Sequence, residues 1–209
     1  TAWDGRRIAL AAERDGVYEL RAEDGRMASI EVAGLPAPIR LEGPWRVRFA
    51  GSDGFETETT FDSLVSWTQH EDEAIRHFAG IATYTASFEL PPDWLAQDRG
   101  VVLDLGRLWS VGEVRVNGRS LGIVWKPPYR VEATAALRPG TNTLEIDVAN
   151  TWSNRLVGDA ALAAERRRTR TNITHSNGVA WRDVPLLPSG LFGPVRLVPL
   201  RVCQTPVAD

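Results

Sequence analysis

The sequence predicts an all-β sandwich with a short β segment ahead of it. Three observations carry this expectation. Apolar and polar residues alternate in several runs, the period of a strand with one buried face. Clusters of Gly, Pro, Asn and Asp separate those runs at short intervals, the rhythm of a sandwich rather than of βαβ units. Helical signals are confined to two brief stretches.

In chain order, residues 6–31 read as short strands with turns at Asp15-Gly16 and Asp24-Gly25. This segment is too small to bury a core alone, so it is expected to be the tail of a preceding β domain. The stiff stretch Gly34-Leu-Pro36-Ala-Pro38 marks a boundary, dividing the chain into 1–35 and 36–209. Trp45, Val47 and Phe49 alternate and are expected in the core. Trp67, after Leu64 and Val65, is expected to pack there too. Residues 71–77 suit a turn or two of helix, with Glu71, Asp72 and Glu73 at its solvated start. Residues 83–90 place Tyr84, Ala86, Phe88 and Leu90 on one face. A strand at 101–105 stops at Gly106. Asn117-Gly118 joins strands at 113–116 and 120–124, because both turn residues tolerate positive φ. Residues 143–149 set Leu144, Ile146 and Val148 opposite Glu145 and Asp147. The Ala-rich 159–168 suits a short helix whose C-terminal dipole favours Arg166, Arg167 and Arg168. A last strand covers 195–202.

The 209 residues suit one large β domain, or one domain plus a small appendage. A net charge of −3 gives no global field toward nucleic acid or an acidic membrane, and neither partner is expected. No apolar run approaches the ~20 residues that span a bilayer. The start, Thr1-Ala-Trp-Asp-Gly, shows neither a leader pattern nor an initiator Met, and reads as a piece of something longer. Cys203 is the sole cysteine, which excludes an internal disulfide and a cysteine-based zinc site. His70, His77 and His175 lack a ligand spacing. The basic run Glu165–Arg170 is too narrow a stripe for nucleic acid in an acidic chain. It reads as a solvated helix end, or as a surface that meets the rest of a parent protein.

Eight Trp against three Tyr and six Phe is the unusual feature of the composition. An indole stacks well on the apolar face of a sugar ring, and it also fills cores. The candidates for the first role lie on loops. Trp125-Lys126-Pro127-Pro128-Tyr129 puts two aromatics on a rigid loop after a hairpin strand. Trp109 ends a strand and can share that surface. The run 150–159 gathers Asn150, Trp152, Asn154, Arg155 and Asp159, planar amides and charges that hydrogen-bond vicinal hydroxyls beside an aromatic face. Trp181 lies in a polar loop. Each has a structural alternative: Tyr129 and Trp125 as plugs of the sandwich end, Arg155 paired with Asp159, Asn150 capping a turn.

Several segments together resemble a known family. They are Gly43-Pro44-Trp45-Arg-Val-Arg-Phe49, Val114-Arg-Val-Asn117-Gly118-Arg-Ser-Leu121-Gly122, Trp125-Lys-Pro127-Pro-Tyr129, Asn150-Thr-Trp152-Ser-Asn154-Arg155-Leu-Val-Gly158-Asp159, and Ser189-Gly190-Leu-Phe-Gly193-Pro-Val. The series resembles the sugar-binding jelly roll of family 2-type glycoside hydrolases, and most closely the C-terminal region of glycoside hydrolase family 106, the α-L-rhamnosidases. The hairpin motif is widely shared; the runs at 150–159 and 189–195 are more specific. The family pattern has isoleucine where Val157 stands and serine where Ala79 stands.

The resemblance implies a galactose-binding-like jelly roll that accompanies a catalytic barrel. Nothing here matches that barrel, so no residue inherits a catalytic role. The implied partners are a neutral oligo- or polysaccharide, with rhamnose-containing ones among the candidates, and the catalytic domain of the parent hydrolase. The implied location is the bacterial periplasm or the medium. Jelly rolls of this kind can hold a structural calcium, for which Asp53 and Asp147 are candidate donors; no other cofactor is expected. The alternatives are a domain that only braces the barrel, and a stand-alone lectin-like module.

Overall fold

Alternation decides the first sheet. In Trp45–Ala50 the residues Trp45, Val47 and Phe49 turn inward and are buried, while Arg46 and Arg48 face out. Gly140–Ala149 does the same with Leu144, Ile146 and Val148. These strands belong to a six-stranded antiparallel sheet in the order Arg119–Val124, Val111–Val116, Gly140–Ala149, Ile81–Leu90, Trp45–Ala50, Glu56–Phe61. The computed structural model describes residues 2–3, 7–21 and 25–206 of the chain.

The second sheet runs in the order Ala2–Trp3, Arg7–Ala12, Arg196–Pro206, Arg99–Asp104, Arg130–Glu132, with Ile39–Arg40 pairing with Arg196–Pro206. Val101, Leu103 and Leu197 from this sheet meet Phe49, Tyr84, Ile146 and Val114 from the first in one buried core. The galactose-binding-like sandwich is therefore present as expected. Asn117 (φ 51°) and Gly118 (φ 79°) make the anticipated hairpin turn, because both adopt the left-handed region that Asn and Gly tolerate. Asp72 caps the helix Glu73–Arg76, accepting from the Ala74 amide at 2.8 Å.

Two expectations change. The helix is not at 159–168 but at Ser153–Ala160, inside the run read as a loop. Its buried residues are Asn154, Arg155, Gly158 and Asp159, so its inward face is polar and carries no apolar period to detect. The Ala-rich stretch beyond it has no partner surface to bury against and holds only a 3₁₀ turn at Ala164–Arg166. The N-terminal strand, in turn, is hydrogen-bonded within the sandwich: Arg7–Ala12 pairs with residues 201–206, from Ala12 opposite Arg201 to Arg7 opposite Pro206. This pairing crosses the expected boundary at residue 35.

The hairpin of Gly16–Arg21 and Met27–Val32 has its own small cluster, with Leu10, Ala12, Ile30 and Val32 buried beside Cys203. Burying a Leu, Ile or Val side chain contributes about 1.5–3 kcal/mol each. Three such residues anchor this hairpin weakly compared with the main core. Among the described residues no helix is long and apolar enough to cross a membrane.

Candidate functional site

Register brings the loops of one sandwich end together. Ala50 faces Ile81, Ile81 faces Ala149, and Ala149 faces Val111. Gly112 faces Val124. The residues just outside these pairs are therefore neighbours: 51–55, 78–80, 150–152, 109–110 and 125. Chain left in such loops must find partners for its buried backbone groups, and side-chain amides supply them. Asn150 donates to the Phe78 carbonyl (2.8 Å) and to Ser189 Oγ (3.2 Å), and accepts from the Gly80 amide (3.1 Å). Asn154 donates to the Leu187 carbonyl (2.7 Å) and Ser189 Oγ (3.1 Å), and accepts from the Leu187 amide (2.8 Å). Both amides converge on Ser189, and neither has a polar atom left uncommitted.

Asp159 organises the next layer. It accepts from the Thr169 amide (2.7 Å), Thr169 Oγ1 (2.6 Å) and the Arg168 amide (3.3 Å), and it pairs with Arg155 Nη2 at 3.1 Å. Burial pushes its carboxyl pKa up, but the bonds from Thr169 and Arg168 and the charge of Arg155 outweigh burial, so the net direction is down. Arg155 moves below arginine's usual range because burial and the like charge of Arg168 overcome the pull of Asp159 and Asp53. Gly158 permits this packing: a Cβ there would lie 2.6 Å from Arg155 Nη2 and 2.7 Å from the His77 side chain.

The layer forms a pocket of about 240 Å³ lined by Ser52, Asp53, Ala79, Trp152, Arg155, Arg168, Thr169 and Arg170. Trp152 is 67% exposed at its mouth. Arg168 lies 4.5 Å above the Phe55 ring and 3.6 Å from Asp53. Arg155 is 9% exposed, and among the described residues its Nε has no hydrogen-bond partner. A second pocket, about 200 Å³, opens across the helix and is lined by Leu156, Ile173 and Trp181 among others. The Trp181 indole donates to the Ile173 carbonyl at 2.9 Å.

Trp125 (67% exposed) stands on a loop at the same sheet end as Trp152, and Trp109 (44%) ends the short strand Arg107–Trp109, opposite Gly190. The loop 125–129 then crosses to the second sheet, where the Tyr129 carbonyl accepts from the Leu105 amide and the Tyr129 ring packs against the core. Asp53 and Asp147, the residues read as calcium donors, each have an arginine neighbour. Asp147 is held by Arg115 at 2.8 Å, and Asp53 faces Arg168. Among the described residues no group of three or more His, Cys, Asp or Glu is placed to hold a metal. Ser52, Thr169, Arg168 and Arg170 were not candidates from sequence. The last two belong to the basic run expected at a helix end; instead they lie beyond the 3₁₀ turn, where the amides of Arg168 and Thr169 are tied to Asp159.

This antiparallel two-sheet sandwich belongs to the galactose-binding-like class. The chain belongs to the glycosyl hydrolase 2 galactose-binding domain-like family, whose model matches residues 46–186. It is 32% identical over 201 residues to "Putative beta-glucuronidase" of Formosa agariphila, covering 87% of this chain and 17% of that protein. It also matches the rhamnosidase of Novosphingobium sp. PP1Y with 37% identity and a TM-score of 0.68, over 80% of this chain and 16% of that one. The β-D-glucuronidase of Dictyoglomus thermophilum, 21% identical with a TM-score of 0.54, shares the fold over 82% of this chain and 29% of its own. The chain thus spans about a sixth of the length of the first two relatives.

Proposed function

We propose that this chain is the accessory carbohydrate-contacting domain of a larger, α-L-rhamnosidase-like glycoside hydrolase, C-terminal to its catalytic barrel and without a catalytic group of its own. The observation that carries this reading is the partition of the tryptophans. Trp45, Trp67 and Trp94 are buried at 3% or less, as cores require, whereas Trp109, Trp125 and Trp152 stand 44–67% exposed at one sandwich end. An exposed indole on a rigid scaffold is poorly solvated and is preorganised for a flat apolar partner such as a sugar face. The likeness to a rhamnosidase over most of this chain and a small part of that one supports the setting. A polymeric substrate cannot cross a membrane, so the reading places the enzyme in the periplasm or outside the cell.

The test is calorimetric titration of the chain with rhamnose and rhamnose-containing oligosaccharides, beside Trp125→Ala and Trp152→Ala. Saturable heat that either substitution removes supports a binding domain, with affinity expected at about micromolar to millimolar for so few contacts. A folded chain that gives no heat with any sugar at millimolar concentration rejects it. That result leaves a brace, in which the same tryptophans pack on the catalytic domain.

A further inference from the structure

Two concave surfaces of the domain carry arginines, and their charge balance differs. On the outer face of the first sheet Arg46, Arg48 and Arg115 meet Glu58, Glu145 and Asp147, three against three. Arg115 alone contacts Asp147 at 2.8 Å, Glu145 at 3.5 Å and Glu113 at 3.6 Å. Its charges balance, although Asp147 Oδ1 is buried without a hydrogen-bond partner among the described residues. The pocket under Trp152 holds Arg155, Arg168 and Arg170 with Asp53 in its lining, and Asp159 behind it pairs with Arg155 at 3.1 Å, three cations against two carboxylates. Arg155, nine-tenths buried there, keeps an Nε–H with no acceptor among the described residues. That Nε is enclosed by protein, so what the pocket offers a ligand is the positive charge of the guanidinium rather than the Nε–H. The helix Ser153–Ala160 adds to this: its N-cap, Trp152, makes no side-chain cap, so the positive end of the helix borders the same pocket.

We infer that this pocket takes a carboxylated sugar, a uronic acid, whose carboxylate lies on Arg155, Arg168 and Arg170 and whose ring lies against Trp152. The inference rests on the carbohydrate-binding reading above and replaces the neutral sugar expected from sequence with an acidic one. A planar carboxylate matches the guanidinium fork in two parallel bonds. Asp53 disfavours a multiply charged anion and offers an acceptor to a sugar hydroxyl. The volume of about 240 Å³ falls below the ~300–1,000 Å³ of drug-sized sites, which suits one ring rather than a stretch of polymer.

The experiment titrates the chain with methyl glucuronide and methyl galacturonide, with the matching neutral glycosides, and with acetate. At low salt the uronides are expected to bind about tenfold or more tightly than the neutral glycosides, with the gap narrowing as salt rises. Arg170→Ala, at an exposed position, is expected to shrink that gap while circular dichroism stays unchanged. Trp152→Ala is expected to weaken the uronides and neutral glycosides alike. Equal binding of uronide and neutral glycoside overturns the inference and leaves the carbohydrate-binding reading standing. Acetate competing as well as a uronide overturns it too, as the mark of a bare anion site. No binding by any glycoside to the folded chain overturns both.

Discussion

The two ends of the sandwich solve one problem in different ways. At the end that holds the Asn117-Gly118 turn, buried Asn142 donates to the Arg138 and Gly140 carbonyls (2.7 and 2.8 Å) and accepts from the Arg138 amide and Asn117 Nδ2 (3.0 and 2.8 Å). Asn117 beside it donates to the Ala136 carbonyl (2.9 Å) and accepts from the Thr143 amide (3.0 Å). At the opposite end Asn150 and Asn154 do the same for longer loops around Ser189, but the structure goes on to bury a charged pair and raise three indoles. An end that only closes a sandwich needs its amides and nothing more. The further buried charge and exposed apolar area are what distinguish a contact surface from a seal.

The largest effect that would sharpen this contrast is at Asp159. Asp159→Asn leaves Arg155 buried without its counter-ion, and denaturant unfolding should show a loss of about 3–5 kcal/mol. The pH dependence has a definite sign. Because the folded-state pKa of Asp159 is depressed, its contribution is present above the unfolded aspartate value of about 4. It is lost as pH falls through the lower folded value. The asparagine variant should lose that part of the acid sensitivity; an unchanged acid limb argues against the pairing.

Next comes Tyr84, beneath the open end, whose hydroxyl accepts from Leu191 N at 3.2 Å and from Trp67 Nε1. Burial raises its pKa from 10.0 to about 12, against the lowering effect of both bonds. A raised folded pKa leaves stability intact below pH 10 and erodes it as pH climbs toward 12, by about 2–3 kcal/mol in all. Tyr84→Phe should flatten that alkaline limb in thermal melts.

At the sealed end Asn142→Ala leaves two carbonyls and an amide without their partner, at about 2–3 kcal/mol by chemical denaturation, with sugar binding unchanged. A fall in sugar affinity there would erase the distinction between the ends. The smallest stability effect belongs to Trp152→Ala and Trp125→Ala, within about 0.5 kcal/mol because both side chains are exposed. A loss above 2 kcal/mol for either would place that indole in the core.

Much of the fold was legible along the chain, because alternation is local. The inward faces of 45–49, 84–90 and 144–148, the Asn117-Gly118 turn, the buried Trp45 and Trp67, and the short helix within 71–77 all follow from residues within ten positions of one another. The loop tryptophans were legible only as candidates: Trp125 and Trp152 are exposed, whereas Trp181, read as lying in a polar loop, is half-buried with its indole bonded to the Ile173 carbonyl. The helix Ser153–Ala160 was not, since its buried side is Asn154, Arg155, Gly158 and Asp159 and an apolar period cannot reveal a polar face. Nor was the pairing of residues 7–12 with 201–206, which no local pattern encodes.

The sequence by itself determined the class of fold and the main strands, and left open which tryptophans stay outside. Only the tertiary structure decided how the polar residues are spent. Asn150 and Asn154 hold backbone groups that become unsatisfied only when distant loops are packed together. Arg155 meets Arg168 and Arg170 because Asp159, once buried, draws the amides of 168 and 169 onto itself. Hydrophobic burial is written in a local period, whereas the satisfaction of buried polar groups depends on which segments meet in space.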